Sequence, residues 1–135
     1  MLKLKGDGPV VLVDDDPDAR NLARIVFKRS TVSRPVVLLE SGTDLLQYLN
    51  DVGRGKAEMP AIVLLDINMP APNGHETLHA IRAQKAFHNL PEIVMLTASN
   101  DPNDEKKAFA AGANGYQVKP FRLDDFIDFA NLLVT

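Results

Sequence analysis

The chain has 135 residues, of which 45% are hydrophobic and 24% are charged, and its formal net charge at pH 7 is −3. This length predicts about one domain, the composition excludes a disordered chain, and the acidic balance argues against a nucleic-acid-binding surface. Cysteine is absent, which excludes disulfides and thiolate metal sites, and no apolar run approaches the ~20 residues of a membrane span. We therefore expect a single cytoplasmic domain over residues 1–135, with its core at about 9–134, no output domain, and no membrane or nucleic-acid partner.

Apolar runs and helix signals alternate along the chain. Five runs predict buried strands, at 10–13, 35–39, 61–66, 91–97 and 115–118. A helix is predicted after each strand, at about 17–30, 42–53, 74–87, 102–112 and 123–133. The first four have a candidate N-cap residue, namely Asp16, Ser41, Asn73 and Asp101. Strict alternation of strand and helix predicts an α/β fold with a parallel sheet that is covered on both faces.

Polar side chains follow the predicted strands at the point where each one ends. Asp14 and Asp15 come after the first strand, Asp66 after the third, Thr97 after the fourth and Lys119 after the fifth. Because the carboxyl ends of parallel strands meet at one edge of a sheet, we expect these side chains to lie close together. Glu40, after the second strand, is expected to lie off-centre, and the third acid of the first cluster, Asp16, is expected to cap the following helix.

Crowded carboxylates without His or Cys predict a site for Mg²⁺, which prefers oxygen ligands. The predicted ligands are Asp15 and Asp66, helped by Asp14 and by a backbone carbonyl near Asn68. Asp66 is then expected to attack phosphorus and form an acyl phosphate. Lys119 would supply a positive charge for the phosphoryl oxygens.

The chain resembles the receiver domain of two-component response regulators, of the stand-alone type. The resemblance rests on six short motifs in order along the chain, namely Val13-Asp14-Asp15, Asp66-Ile67-Asn68-Met69-Pro70, Asn73-Gly74, Thr97-Ala98, Gly112-Ala113 and Lys119-Pro120-Phe121. It implies a doubly wound, flavodoxin-like (βα)5 sandwich with strand order 2-1-3-4-5. It also implies a cis bond between Lys119 and Pro120.

The resemblance further implies what the chain does. Asp66 would accept phosphate from the phosphohistidine of a sensor histidine kinase, with Asp14, Asp15 and the Asn68 carbonyl serving Mg²⁺. Thr97 and Tyr116 would be the pair that rearranges on phosphorylation and alters the face formed by the fourth helix, fifth strand and fifth helix. The chain would be a signalling switch rather than a metabolic enzyme, catalysing its own phosphorylation and dephosphorylation. Its loops are similar to those of regulators paired with phytochrome-type or hybrid kinases, and a histidine phosphotransfer protein is a further expected partner in a phosphorelay.

Two alternatives remain open, and a third is disfavoured. His75-Glu76-Thr77-Leu78-His79 has the H-E-x-x-H pattern of zinc peptidases, which would make the chain a metal-dependent hydrolase using His75, Glu76 and His79. A phosphatase with an aspartyl-phosphate intermediate needs a general acid two residues after the nucleophile, and that position is Asn68, which argues against it. The chain could also be a receiver-like module that binds partners without being phosphorylated.

The last predicted helix suggests a surface for self-association. Phe126, Ile127, Ala130 and Leu133 are expected to face the sheet, which would leave Phe129 and Leu132 exposed. Exposed apolar residues on the face between the fourth and fifth helices would form a homodimer or partner patch.

Overall fold

Five parallel strands form the central sheet of the structure, a computed structural model that describes residues 2–4, 6–98, 101–119 and 122–134. The strands are β1 Val10–Val13, β2 Val36–Leu39, β3 Ile62–Asp66, β4 Ile93–Thr97 and β5 Gly115–Val118. Their order across the sheet is β2-β1-β3-β4-β5, and each neighbouring pair is parallel. The predicted strand order 2-1-3-4-5 and the doubly wound α/β architecture are therefore confirmed.

Helices connect successive strands. They are α1 Pro17–Arg29, α2 Gly42–Gly53, α3 Gly74–Ala83, α4 Pro102–Ala110 and α5 Leu123–Asn131. The predicted caps are confirmed, since the side chains of Asp16, Ser41, Asn73 and Asp101 each accept a hydrogen bond from a backbone N–H of the first helical turn. The third helix is shorter than predicted: Gln84 adopts an extended conformation, and a separate 3₁₀ turn follows at Lys85–Phe87.

Two short strands at the ends of the chain were not predicted. Leu2–Lys3 pairs in parallel with Leu133–Val134 as a separate two-stranded sheet. A strand of two residues is too short to show an alternation of apolar and polar residues in the sequence. Leu133, the last residue of the predicted helix 123–133, belongs to a strand instead. The prediction of a cis Lys119–Pro120 bond concerns Pro120, which lies outside the described residues.

The core lies on both faces of the sheet, because every residue of β1, β3 and β4 is buried. Side chains on one face pack against α1 and α5, and those on the other face pack against α2, α3 and α4. Among the described residues, none of the helices combines the length and the hydropathy that a membrane span requires.

The prediction that Phe129 is exposed is wrong. Its side chain is 6% exposed, and its ring packs edge-on against Phe126 at a centroid distance of 6.4 Å. The buried stripe of α5 follows the spacing i, i+3, i+4, i+7 from Phe126, which includes Phe129, because α5 packs against α1 as well as against the sheet. Leu132 is 47% exposed, as predicted, but the suggested homodimer surface loses its aromatic residue.

A buried arginine ties together the ends of the elements furthest from the predicted site. The guanidinium of Arg82 donates to the carbonyls of Gly112, Phe87 and Pro91 at 3.0, 3.1 and 2.8 Å. It also donates to Asn114 Oδ1 at 2.9 Å. Three of these four bonds satisfy backbone carbonyls and the fourth satisfies a side-chain amide oxygen, so Arg82 has a structural role that the sequence pattern did not reveal.

Candidate functional site

The carboxyl edge of the sheet brings the predicted acids together. Asp14 and Asp66 are buried, with exposures of 1% and 4%, whereas Asp15 is exposed. One carboxylate oxygen from each of the three residues lies within 4.8 Å of the others. Among the described residues, this is the group of His, Cys, Asp and Glu side chains that is close enough to share one metal ion.

Asp66 ends the central strand β3, and the loop after it fixes the orientation of its carboxylate. The backbone N–H of Asn68 donates to Asp66 Oδ1 at 3.1 Å. The ammonium group of Lys119 lies 3.4 Å from Asp66 Oδ2. Each carboxylate oxygen of Asp66 therefore has one donor, and the carboxylate lies close to those of Asp14 and Asp15.

Asp14 is held from two directions. Its Oδ1 accepts from the backbone N–H of Asp16 at 3.0 Å, and its Oδ2 forms an ion pair with Lys119. The side chain of Arg20 donates to the backbone carbonyl of Asp14 at 2.9 Å and lies 3.5 Å from Glu40, which follows β2. Sequence reasoning missed this role of Arg20, although its position one turn into α1 was a usable signal. Glu40 lies off-centre, as expected.

The electrostatic environment of the site disfavours the negative charge on Asp66. Burial raises the pKa of Asp66; Lys119 opposes this shift, and Asp14 adds to it. Burial alone would lower the pKa of Lys119, but its bonds to Asp14 and Asp66 outweigh burial and raise that pKa. The site therefore holds one permanent cation among three acids, and an additional cation would relieve the remaining repulsion.

Thr97 and Tyr116 complete the set of predicted site residues. Thr97 is buried at the end of β4, and its backbone carbonyl accepts from the N–H of Lys119 at 2.6 Å. Tyr116 lies on β5, is half-buried, and packs against the core on the face of the sheet that α2, α3 and α4 cover. The structure thus places Thr97 at the same edge as Asp66, with Tyr116 further back along the neighbouring strand.

Gly74 has a role at the site that the sequence pattern did not indicate. It begins α3, and a Cβ atom at this position would lie 2.6 Å from the carbonyl oxygen of Asp66. Because backbone does not yield at that distance, only glycine lets α3 start directly above the end of β3. Within the motif Asn73-Gly74, Asn73 caps α3 and Gly74 allows the helix to approach the backbone of Asp66 closely.

The H-E-x-x-H segment is built differently from a metal site. The carboxylate of Glu76 accepts from the N–H of Asn73 at 2.9 Å, and Asn73 Oδ1 accepts from the N–H of Glu76, so Glu76 closes a capping box. His79 is exposed, whereas both ring nitrogens of His75 are buried and have no hydrogen-bond partner among the described residues. Burial and, secondarily, the nearby Lys107 lower the pKa of His75. This geometry gives the hydrolase alternative no support.

Comparison with known proteins agrees with the architecture of the site. The family model of the response regulator receiver domain matches residues 10–131. The chain is 29% identical over 116 residues to "Probable methanogenesis regulatory protein FilR2" of Methanothrix harundinacea, an alignment that covers 86% of this chain and 74% of that protein. It is 32% identical over 123 residues to the two-component response regulator ORR1 of Oryza sativa, covering 90% of this chain but 53% of that protein.

Stand-alone regulators are also similar in sequence and structure. The response regulator Rcp1 of Synechocystis is 28% identical over 117 residues, which cover 86% of this chain and 79% of Rcp1. The crystal structure of its Mn²⁺-bound form has a TM-score of 0.76 at 26% identity and covers 92% of this chain and 89% of that one. The phosphorylated cyanobacterial phytochrome response regulator RcpA has a TM-score of 0.79 at 26% identity, covering 93% and 90% of the two chains.

Proposed function

The chain belongs to the family of response regulator receiver domains, and on that premise we propose that it is a phosphorylation switch with Asp66 as the phosphoacceptor. The observation that carries this proposal is the convergence of four strand-end residues. The buried carboxylate of Asp66 lies 3.4 Å from the ammonium group of Lys119 and within 4.8 Å of the acids Asp14 and Asp15. A nucleophile, a cation for phosphoryl oxygens and a set of oxygen ligands are the parts that phosphoryl transfer needs.

In the proposed reaction a carboxylate oxygen of Asp66 attacks the phosphorus of a phosphohistidine on a sensor histidine kinase. The new O–P bond forms as the P–N bond breaks, and the imidazole leaves with the electron pair of that bond and takes up a proton from solvent. The product is an acyl phosphate on Asp66. Lys119 would neutralise the phosphoryl oxygens and Thr97 would hydrogen-bond them, which their position at the same edge of the sheet supports.

The donor set fits Mg²⁺, because Asp14, Asp15 and Asp66 offer only oxygen atoms. The backbone carbonyl of Asn68 is the fourth proposed protein ligand. When bound, the ion neutralises negative charge on the transferring phosphoryl group. That Rcp1 has an Mn²⁺-bound form supports the proposal that this chain also binds a divalent ion.

The phosphate would act through a rearrangement of Lys119, Thr97 and Tyr116. Lys119 would exchange its contact with Asp66 for a phosphoryl oxygen, and the Thr97 hydroxyl would move onto the phosphate. The side chain of Tyr116 would then shift its packing between the sheet and α4, which alters the face formed by α4, β5 and α5. The likeness to RcpA, a phosphorylated phytochrome response regulator, supports a phytochrome-type kinase as the donor. We also propose a histidine phosphotransfer protein as a further acceptor and the cytoplasm as the location.

The test uses a small phosphodonor such as acetyl phosphate, with Mg²⁺, and detects a phosphoryl group by intact mass spectrometry before and after mild base. We expect base-labile labelling of the wild type and none of Asp66→Asn. Asp14→Asn and Asp15→Asn should label far more slowly, because each removes a proposed ion ligand. Asp16→Asn is the matched control: it removes an acid from the same triplet but keeps a side-chain helix cap, so it should label like the wild type.

A second arm uses a purified phytochrome-type histidine kinase, phosphorylated from labelled ATP, as the donor. Transfer to the wild type and not to Asp66→Asn is the expected result. Equal labelling of both would place the phosphate elsewhere. No labelling from any donor would leave the non-phosphorylated binding module as the better description.

A further inference from the structure

A groove of about 400 Å³ lies between the second half of α1 and the edge strand β2. Its lining includes the cations Arg24, Lys28 and Arg34 and the apolar side chains of Val36 and Leu38. Arg34 and Val36 stand at the amino end of β2, whereas Asp66 ends β3 at the carboxyl edge. The groove therefore lies toward the opposite end of the sheet from the phosphorylation site and is separate from it.

The outer edge of β2 presents unpaired backbone to this groove. Among the described strands β2 is paired with β1 alone, and the carbonyls of Pro35 and Leu39 accept from the N–H groups of Val10 and Asp14 at 3.0 Å. Because consecutive residues of a parallel strand alternate in direction, Val37 also faces β1, whereas Val36 and Leu38 turn their N–H and C=O groups away from it. β2 is thus an open edge to which a further strand can be added.

The side chains of the two outward-turned residues, Val36 and Leu38, lie on the α1 face of the sheet and are only partly buried. The other two residues of β2 pack on the opposite face. The same two residues therefore offer both free backbone groups and an apolar surface to the groove. A segment that paired with this edge would at the same time cover the side chains of Val36 and Leu38 on the α1 side.

The charge of the groove differs from that of the whole chain. Three cations line it and its described lining contains no acid, although the net charge of the chain is −3. Arg34 Nε is buried and has no hydrogen-bond partner among the described residues, while its Nη1 donates to the carbonyls of Gly6 and Gly8. Arg24 donates to Asn21, and neither Arg24, Lys28 nor Arg34 forms an ion pair with a described carboxylate.

We propose that this groove binds an extended acidic segment of a partner protein, which adds as a strand to the outer edge of β2. Acidic side chains at alternate positions of that segment would all point toward α1 and meet Arg24, Lys28 and Arg34. A segment of about five residues would span β2, which has 4 residues, since both strands rise about 3.3 Å per residue. A second copy of this chain is disfavoured as the occupant, because two-fold pairing of β2 with itself would bring two sets of cations together.

The test measures binding of a fluorescent peptide with alternating Glu and Val residues, by anisotropy, with amide chemical shifts of the labelled protein as the structural readout. We expect saturable binding of this peptide, shifts centred on Val36 and Leu38, and no binding of the matched Lys and Val peptide. The double variant Arg24→Glu/Lys28→Glu should bind the Glu peptide at least tenfold more weakly and should gain affinity for the Lys peptide. The double variant Lys85→Glu/Lys106→Glu makes the same charge change at exposed positions outside the groove and should bind like the wild type.

A Glu and Val peptide that is N-methylated at alternate residues separates strand addition from simple charge attraction, because it keeps every carboxylate but cannot pair with β2. Equal binding of the methylated peptide, or binding that the charge-reversal variant leaves unchanged, would overturn the proposal. The proposal would also be overturned if a short single-stranded oligonucleotide displaced the peptide and bound more tightly. An oligonucleotide carries negative charge but has no peptide backbone that can pair with β2. If the cations only prevent β2 from pairing with other chains, neither peptide binds and the proposal fails. Asp66→Asn should bind like the wild type, so these results do not depend on the phosphoryl chemistry.

Discussion

Replacing Asp66 by Asn should make the metal-free protein more stable at neutral pH. In the wild type, the carboxylates of Asp14 and Asp66 approach within 4.8 Å, which corresponds to a repulsion of about 3.5 kcal/mol at an effective dielectric constant of ~20. The ammonium group of Lys119 at 3.4 Å contributes an attraction of about 5 kcal/mol on the same scale, part of which it shares with Asp14. Removing the Asp66 carboxylate from water costs several kcal/mol more, so the balance favours the neutral side chain by about 1 to 2 kcal/mol.

The effect should depend on pH in a defined direction. Burial raises the pKa of Asp66 above its usual value of 3.8, and Asp14 adds to this shift against the opposing effect of Lys119. The folded protein therefore binds the Asp66 proton more tightly than the unfolded chain, and the wild type loses stability as the pH rises from about 3.8 through the folded pKa. Asp66→Asn does not undergo this loss. The difference in stability between the variant and the wild type should therefore increase with pH through the acid range and become constant near neutrality.

Thermal unfolding of the wild type and Asp66→Asn in EDTA, across this pH range, measures the difference. For a domain of this length each kcal/mol corresponds to a change in Tm of about 3 to 5 °C. Mg²⁺ at millimolar concentration should raise the Tm of the wild type more than that of the variant and so narrow the gap. Asp16→Asn removes a carboxylate outside the cluster of three and should show no rise. A lower Tm of Asp66→Asn in EDTA at pH 7, or a gap that does not change with pH, would refute the electrostatic reasoning.

Three further changes test interactions that stabilise the fold away from the site. Arg82→Met should lower the free energy of unfolding in urea by about 3 kcal/mol, because it leaves buried carbonyls without donors, whereas exposed Arg54→Met should change it little. Gly112→Ala should destabilise the protein more than Gly55→Ala, since both have positive φ but only Gly112 would place a Cβ 2.8 Å from the Arg82 side chain; equal losses of stability would contradict this. The wild type should lose stability relative to His75→Gln as the pH falls below 6.5, because the folded protein holds this proton less tightly than the unfolded chain; parallel pH profiles would contradict it.

The strand ends explain why so much of the site was predictable. A buried parallel strand is a short apolar run, and the residue after it must lie at the carboxyl edge, so Asp14, Asp66 and Thr97 follow from position alone. The helix caps were predictable for a similar reason, since capping is decided within one turn of the chain.

Features that depend on packing between distant elements were not predictable in this way. Phe129 is buried because α5 rests on α1 as well as on the sheet, and the sequence of α5 alone does not show how wide a stripe its neighbours cover. The four bonds of Arg82 join segments up to 32 residues away, so no local pattern marks them. The closeness of Gly74 to the backbone of Asp66 likewise becomes visible only when the helix is placed on the strand.

The two acid-containing motifs of this chain show what separates a metal site from a spacing that resembles one. His75, Glu76 and His79 lie on one short helix, where the carboxylate already accepts a backbone hydrogen bond and the two imidazoles differ in exposure. Asp14 and Asp66 lie far apart in the sequence, but the parallel register of β1 and β3 brings their carboxylates together with a lysine as the main counter-charge. Carboxylates that the fold brings together repel one another, whereas the single carboxylate of Glu76 already accepts a backbone hydrogen bond in the capping box. The crowding of carboxylates, rather than motif spacing, therefore favours the carboxyl edge of the sheet over the H-E-x-x-H segment as the proposed cation site.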